Sequence, residues 1–448
     1  MYSDLCSAGN RLAVDRQCRG AVSIGERHGF VDGGELAWHS LRRFCIYRRG
    51  NRWLGMDWLE PGAAFLLPSA VVAKWGGTRA ALPEAILTRF IRPVISTAPI
   101  VIRQRCRHPG DDHFWQYPCG TERQADENHQ KIALGANLDR GGETIHTYLG
   151  LPWATYIDRK RFPEEILQWL RPRITGWRRL AWEQGYRLAV HTVCQQIYWR
   201  RLIDRFRELG VTDLHLSHCE RAVREARTSG SLRIHSWPLI AVNVEDHTRG
   251  EGLEPGRLVA CRRYLASFIG AYLPHYRSDA RLRLLDAARR DGGDDVIVEV
   301  SDEWHFEKTV YQEQVGNIPL TLRDRESQAA ATRRYNEVLS DSVFSLCPEG
   351  AGPNTLRLWE SLAVGAIPVI LAEQWEPPAC LRRSGAAAEC CLFFKASEIG
   401  RLFTELRAIN RERIRSMSAA GPRVYAEARE LRAFAVNDTG VCGGRNIQ

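Results

Sequence analysis

"DSVFSLCPEGAGPNTLRLWESLAVGAIPVIL", residues 341–371, decides the fold. "VFSLC" is continuously apolar, as a strand buried on both faces requires. "PEGAGPN" cannot continue it, because its prolines lack N–H donors and its glycines favour sharp turns. Asn354 or Thr355 is then placed to cap a helix in which Leu356, Trp359, Leu362 and Ala363 recur at helical spacing. Gly365 ends that helix, and "AIPVIL" returns as the next buried strand. Such a path sets a helix N-terminus, with free N–H groups and the positive end of its dipole, beside a loop whose Gly350 and Gly352 let a ligand approach the backbone. A phosphate or diphosphate suits that place, with Asn354 and Thr355 at its edge. Glu360 lies about 9 Å further along the axis at 1.5 Å per residue, the reach from a diphosphate to a ribose whose hydroxyls a carboxylate accepts. Arg357, one turn earlier, is placed to pair with phosphate oxygens. The same spacing also allows an ordinary surface pair between Arg357 and Glu360.

Outward from this stretch, strands and helices alternate. "ETIHTYLGLPWATYID" reads as a strand and its following loop, and "FPEEILQWLRPRITGWRRLAWEQG" as helix interrupted at Pro172. "YRLAVHTVC", "DLHLSHC" and "LRIHSWPLIAV" read as further strands, with the amphipathic helix "YWRRLIDRFRELG" closed by Gly210 between the first two. "NVEDHTRGEGLEPGRL", near 243–256, has the composition of an interdomain linker. A second run follows: strand "LASFIGAY", helix "SDARLRLLDAARRDG" capped by Ser278 or Asp279, strand "DVIVEV", helix "SQAAATRRYNEVLSDS", the opening stretch, and C-terminal helices. The expected class is therefore α/β: two Rossmann-like parallel-sheet domains, 141–250 and 251–440, facing across a cleft, with ligands beyond the carboxyl ends of the strands. Residues 1–140, irregular in apolar spacing, give no assignable fold.

Composition narrows the function. A chain of 448 residues with 44% hydrophobic and 26% charged content is globular and long enough for two or three domains. The net charge of +9 and pI near 9.0 raise the question of nucleic acid. However, only Lys74, Lys131, Lys160, Lys308 and Lys395 are lysine among 62 basic residues, and the arginines are scattered along the chain. A nucleic-acid footprint would concentrate them, so no nucleic-acid partner is expected. The 13 cysteines lack paired spacing, and reduced thiols are the expectation. Cys106, His108, His113 and Cys119 cluster without the short knuckles of a structural zinc site, so no metal is expected there. No secretory signal is visible, and "GAAFLLPSAVVAKW" is too short to span a bilayer. A cytoplasmic protein follows, with peripheral attachment to a membrane left open.

"SLCPEGAGPNTLRLWESLAVGAIPVI" resembles the signature of the exostosin glycosyltransferases, in which S-x-F-C-L-C-P-x-G, a short spacer, S-x-R-L-x-E-A-L and G-C-I-P-V-I follow one another. The resemblance is strong over 335–371, where "YNEVLSDSVFSLCPEG" adds the family's tyrosine-bearing helix. It is weak over 257–440, where "LASFIGAYLPHYRSDARLRLL" is similar to an F-x-G strand and arginine-bearing helix, and it does not reach 1–140. Thr355 and Ala366 replace Ser and Cys of the pattern without loss of hydroxyl or small size. Glu349 replaces a cation, setting a negative charge where the pattern has a positive one, so Arg277, Arg281 or Arg283 is expected to supply the charge.

The resemblance implies a GT-B type enzyme that moves a sugar from a nucleoside-diphosphate sugar to a glycan, lipid or protein acceptor, inverting and without a metal or other cofactor. No D-x-D triad follows an apolar strand here. Inversion needs a base for the acceptor hydroxyl, expected from the N-terminal domain, with Asp158, His191 and His218 as candidates. Eukaryotic exostosins carry an N-terminal membrane anchor that is not seen in this sequence. Together with the arginine-rich composition, that suggests a bacterial enzyme of surface polysaccharide biosynthesis. The competing expectation is a non-catalytic nucleotide- or glycan-binding scaffold of polysaccharide assembly, with Glu349 marking a degenerate site.

Overall fold

The computed structural model describes residues 120–130, 144–183, 185–225, 232–382, 386–431 and 433, together with five short strands between residues 11 and 66. Cys106, His108, His113 and Cys119 lie outside the described residues. Two compact units separate, one of Met1–Val101, Ile132–Thr147 and Gly176–Leu188, the other of Ile102–Lys131, Tyr148–Thr175 and Ala189–Gln448. In the first, β1 (Arg11–Ala13) pairs with β2 (Ala21–Ser23), and β3 (Phe44–Arg49), β4 (Arg52–Asp57) and β5 (Ala64–Leu66) form an antiparallel sheet.

The strands read from the α/β alternation form two sheets. One has the order β6 (Thr144–Tyr148), β7 (Arg187–Cys194), β8 (Asp213–Leu216), β9 (Arg233–Ser236), with β7, β8 and β9 parallel. The other, wholly parallel, has the order β11-β10-β12-β13-β14: β10 is Tyr264–Ala271, β11 Val296–Ser301, β12 Ser342–Pro348, β13 Ile367–Leu371 and β14 Leu392–Phe393. The two-sheet α/β class expected from the alternation is the class observed.

The second sheet is packed on both faces, as its unbroken apolar strands require. Phe344 and Leu346 of β12 join Phe268, Leu284, Phe403 and Leu406 in one core, while Cys347, the residue after Leu346, joins Trp359, Leu362, Val424 and Tyr425 in the other. Alternate residues point to opposite faces, so one strand feeds both cores. The helix Leu356–Val364 supplies Leu358, Trp359 and Leu362 to the second core and stops at Gly365, whose φ is 74°.

Three sequence expectations change. The segment after β6 is not a loop, because Trp153–Asp158 is a helix that opens after Pro152, a residue suited to a helix start. Its Trp153 is fully buried, T-shaped against Phe206 with ring centroids 4.6 Å apart, and its indole donates to Thr192 Oγ1 at 2.7 Å. Pro172 does not interrupt its helix, which runs continuously from Glu164 to Glu183. Neither Ser278 nor Asp279 caps the helix Ala280–Ala287 through a side chain, although Asp279 occupies the N-cap position. The polar "TERQADENHQ", Thr121–Gln130, is helical although its apolar spacing gave no sign of it.

Gly365→Ala is expected to destabilise the protein by about 1–2 kcal/mol, the cost of placing an L side chain in the left-handed region. The added Cβ would also sit 3.2 Å from Ser418 O. Urea unfolding measures this, and an unchanged midpoint would show that the turn relaxes.

Candidate functional site

The strand order 2-1-3-4-5 of the second sheet reverses direction between β10 and β12, and ligands in such sheets bind where the order reverses. A cavity of about 1000 Å³ opens there. Its lining comes from segments just beyond the carboxyl ends of strands in both sheets: Gln195–Tyr198 after β7, His218 after β8, Asn243 after β9, Tyr272–Tyr276 after β10 and Gly350–Thr355 after β12. All of these residues belong to one compact unit.

At the reversal sit two arginines. Arg357, in the first turn of Leu356–Val364, is buried; it donates through Nη2 to Ile269 O and lies between the rings of Phe268 and Tyr335, 4.6 and 4.8 Å from their centroids. Arg281 donates to Glu349 O at 3.1 Å and to Ala271 O, with its guanidinium 4.7 Å from the Tyr276 centroid. Burial, reinforced by the charge of Arg357, holds the Arg281 pKa down near 10. Among the described residues neither guanidinium is within salt-bridge distance of a carboxylate. The F-x-G of β10 acquires a physical meaning here. Phe268 is the platform for both arginines, and a Cβ on Gly270 would press on Phe268 at 3.0 Å and on Arg357 Nη2 at 3.3 Å.

The loop before the helix has to be glycine. A Cβ at Gly352 would lie 2.3 Å from His218 Nδ1, and one at Gly350 2.8 Å from Arg281 Nη2. Thr355 takes the N-cap position, but its side chain makes no capping bond. Asn354 makes none to the first turn either: its Oδ1 accepts from Thr355 N and Trp359 Nε1, and its Nδ2 donates 2.8 Å to Ser217 O. The helix start is therefore left without a side-chain acceptor from Thr355 or Asn354, and an anion can take that role.

Glu360 lines the cavity and is buried. Its Oε1 accepts from Asn243 N and its Oε2 from the Tyr335 hydroxyl at 2.6 Å. Burial of both Arg357 and Glu360 rules out the exposed pair that their spacing allowed. Asn243, in the segment expected to be a linker, is held by Arg249 and Asn336, and Arg249 also donates to His305 Nε2 at 2.9 Å. These partners come from the segment after β9 and the helix Leu322–Ser340, and they fix the Glu360 carboxylate in one orientation.

Of the candidate bases, Asp158 and His218 line the cavity. Asp158 Oδ1 accepts from Gln196 Nε2 at 2.7 Å. His218 Nδ1 is buried and has no hydrogen-bond partner among the described residues. Burial, and secondly the charge of Arg277, lower the His218 pKa to about 4, so the imidazole is neutral at neutral pH. His191 lies outside the lining, in a buried cluster where its Nδ1 is 3.1 Å from His215 Nε2 and its Nε2 3.9 Å from Asp213. Glu349 and Arg277 are also outside the lining, as is Arg283. Arg277 bridges Glu349 at 3.2 Å and Glu220 at 3.0 Å, so the charge of Glu349 is compensated.

Behind the wall lies Glu122, which the sequence did not single out. Its carboxyl accepts from Ala154 N and from Gln195 N at 2.9 Å, tying together two lining segments. Desolvation outweighs those backbone donors and raises its pKa to about 8. A carboxyl that binds its proton more tightly in the folded state stabilises the fold fully below its unfolded value near 4.5 and loses that contribution as pH rises towards 8. The stability of the protein relative to Glu122→Gln should therefore fall between pH 4.5 and 8, and a pH-independent difference in denaturation midpoints would contradict the assignment.

Residues 222–387 match the Exostosin GT47 domain family. The Exostosin-1 homolog of Caenorhabditis elegans is 26% identical over 117 residues, which spans 26% of this chain and 28% of that protein. In three dimensions the chain overlaps loosely with sucrose-phosphate synthase from Thermosynechococcus elongatus, at a TM-score of 0.33 and 12% identity over 65% of this chain and 72% of that one. It overlaps similarly with the pneumococcal O-GlcNAc transferase solved with UDP and GlcNAc, at a TM-score of 0.30 and 11% identity over 96% and 81%.

Proposed function

From the match of residues 222–387 to the Exostosin GT47 domain family, we propose that this protein is a glycosyltransferase that moves a sugar from a nucleoside-diphosphate sugar to an acceptor hydroxyl. The observation that carries the reading is the pair Arg281 and Arg357. Two cations held without carboxylate partners, beside a glycine loop and a helix start, await an anion. The diphosphate takes that place, and its ribose hydroxyls donate to Glu360, whose carboxylate has remaining lone pairs.

His218 is the base. Its imidazole, neutral and in the cavity lining, takes the proton of the acceptor hydroxyl while that oxygen bonds to the anomeric carbon. The bond to the diphosphate breaks in the same displacement, inverting the anomeric centre. The negative charge left on the departing nucleoside diphosphate is stabilised by Arg281, Arg357 and the helix start, so no divalent cation is required. Asp158 binds the acceptor. The acceptor is a glycan, or a lipid or protein carrying one, within surface polysaccharide assembly.

Release of nucleoside diphosphate from a panel of nucleotide sugars tests the reading. One donor should turn over, excess EDTA should leave its rate unchanged, and His218→Gln should lower kcat by about 10²–10⁴. The base must be unprotonated, so activity is lost as pH falls through about 4 rather than through the usual histidine range. Full activity in His218→Gln moves the base elsewhere; binding without release favours the scaffold.

A further inference from the structure

The segment 243–256, whose composition is that of a linker, is tied into the site instead. The helical turn Val242–Glu245 carries Asn243, which is buried. Its backbone N–H, one of the donors that the start of a helical turn leaves without an internal partner, reaches Glu360 Oε1 at 3.3 Å. The Asn243 side chain sets where that donor points. Its Oδ1 accepts from Arg249 Nε at 3.0 Å, and its Nδ2 donates to Asn336 Oδ1 at 3.0 Å. Asn336, fully buried, donates in turn to Arg249 O at 2.7 Å and Glu251 O at 2.8 Å, which clamps the segment to the helix Leu322–Ser340. The Arg249 guanidinium is held at its other end as well. Its Nη2 donates to Thr332 Oγ1 and to His305 Nε2, both at 2.9 Å, and its central carbon stands 4.9 Å from the Phe306 centroid. An arginine only donates, so His305 Nε2 accepts and its imidazole is neutral. Burial, then the charge of Arg249, lower the His305 pKa to about 4, in keeping with that role.

Arg249 does not line the cavity, whereas Asn243, His305, Thr332 and Glu360 do. A guanidinium outside the site thus ties Asn243, His305 and Thr332 together, and through Asn243 it reaches Glu360. Each Glu360 oxygen accepts one hydrogen bond, from Asn243 or from Tyr335, which leaves a further lone pair on each. The two neighbouring hydroxyls of a ribose fit that pair of oxygens. A 2′-deoxyribose would leave one buried carboxylate oxygen short of a donor. We propose that Arg249 is a positioning residue for the donor: by fixing Asn243 it orients Glu360 towards both ribose hydroxyls, and so makes the site prefer ribonucleotides to 2′-deoxyribonucleotides. This rests on the glycosyltransferase reading, in which the ribose meets Glu360, and adds to it the class of nucleotide and the residue that selects it. Lysine does not substitute for Arg249, because a single ammonium has no fork to span Asn243 on one side and Thr332 and His305 on the other.

Calorimetric titration of the full-length protein with UDP, GDP, ADP and CDP, and with the 2′-deoxy form of each, tests it. At least one ribonucleotide should bind, and about tenfold more tightly than its 2′-deoxy form, the scale of one hydrogen bond to a charged group. Arg249→Lys and Arg249→Gln should each bring that ratio down to about twofold, by weakening the ribonucleotide while the 2′-deoxy form changes little. Arg249→Lys keeps the charge and decides the matter where Arg249→Gln unfolds. A purely structural role would weaken both forms alike and leave the ratio at its wild-type value, and that result overturns the inference. In a Glu360→Gln background, Arg249→Lys should add nothing to the loss of ribonucleotide affinity. A full additional loss there would mean that Arg249 acts elsewhere than on Glu360, which also overturns it. The two readings fail in different ways. A wild-type protein that binds none of these nucleotides, or binds the 2′-deoxy form equally well, overturns the ribose contact and this inference together; a wild-type preference that survives both variants overturns the inference alone.

Discussion

The whole site depends on one topological constraint: in a parallel sheet ordered β11-β10-β12-β13-β14, the chain leaves β10 in one direction and β12 in the other. The crevice between their carboxyl ends cannot be filled by either connection, so it is left to side chains and ligand. Arg281 and Arg357 enter it from two different helices and spend their hydrogen bonds on the last carbonyls of β10 and β12. Their charge is thereby fixed at the strand ends without being neutralised, and burial makes that charge count for more than it would at a surface.

Around this point the two sheets share a wall. Asn354 reaches Ser217, Arg277 joins Glu220 to Glu349, and Asn243 reaches Glu360. Each of these contacts joins a segment beyond a strand of the first sheet to one beyond a strand of the second. His218 follows β8 by two residues and is held against the Gly352 loop by the same closeness that forbids a Cβ there. The placement of His218 and the glycine requirement are thus two aspects of one contact.

The β12–helix–β13 unit was legible because three independent local signals agreed: an unbroken apolar run, two turn-forming residue types and helical spacing ended by glycine. The partners of Glu360 were not, because Tyr335 and Asn243 lie 25 and 117 residues away from it in sequence and meet it only through packing. The tyrosine of "YNEVLSDSVFSLCPEG" did mark Tyr335, but nothing local said which carboxylate it would touch. Asn243 was hidden in a segment whose glycines and acids read as a linker. Asp158 was assigned to a loop because six helical residues after a proline are too few to show a period. The misfit of Glu349 had a local cause and a distant remedy: Arg277 compensates it, from 72 residues away.

The central claim is that the reversal point between β10 and β12 is where the diphosphate sits. A crystal structure with a bound nucleoside diphosphate measures this directly. Its phosphate oxygens should lie within hydrogen-bonding distance of the backbone N–H groups in the first turn of the helix Leu356–Val364, with the Arg281 and Arg357 guanidinium groups beside them and the ribose against Glu360. A nucleotide bound elsewhere, with the two arginines still facing only carbonyls, would contradict the account.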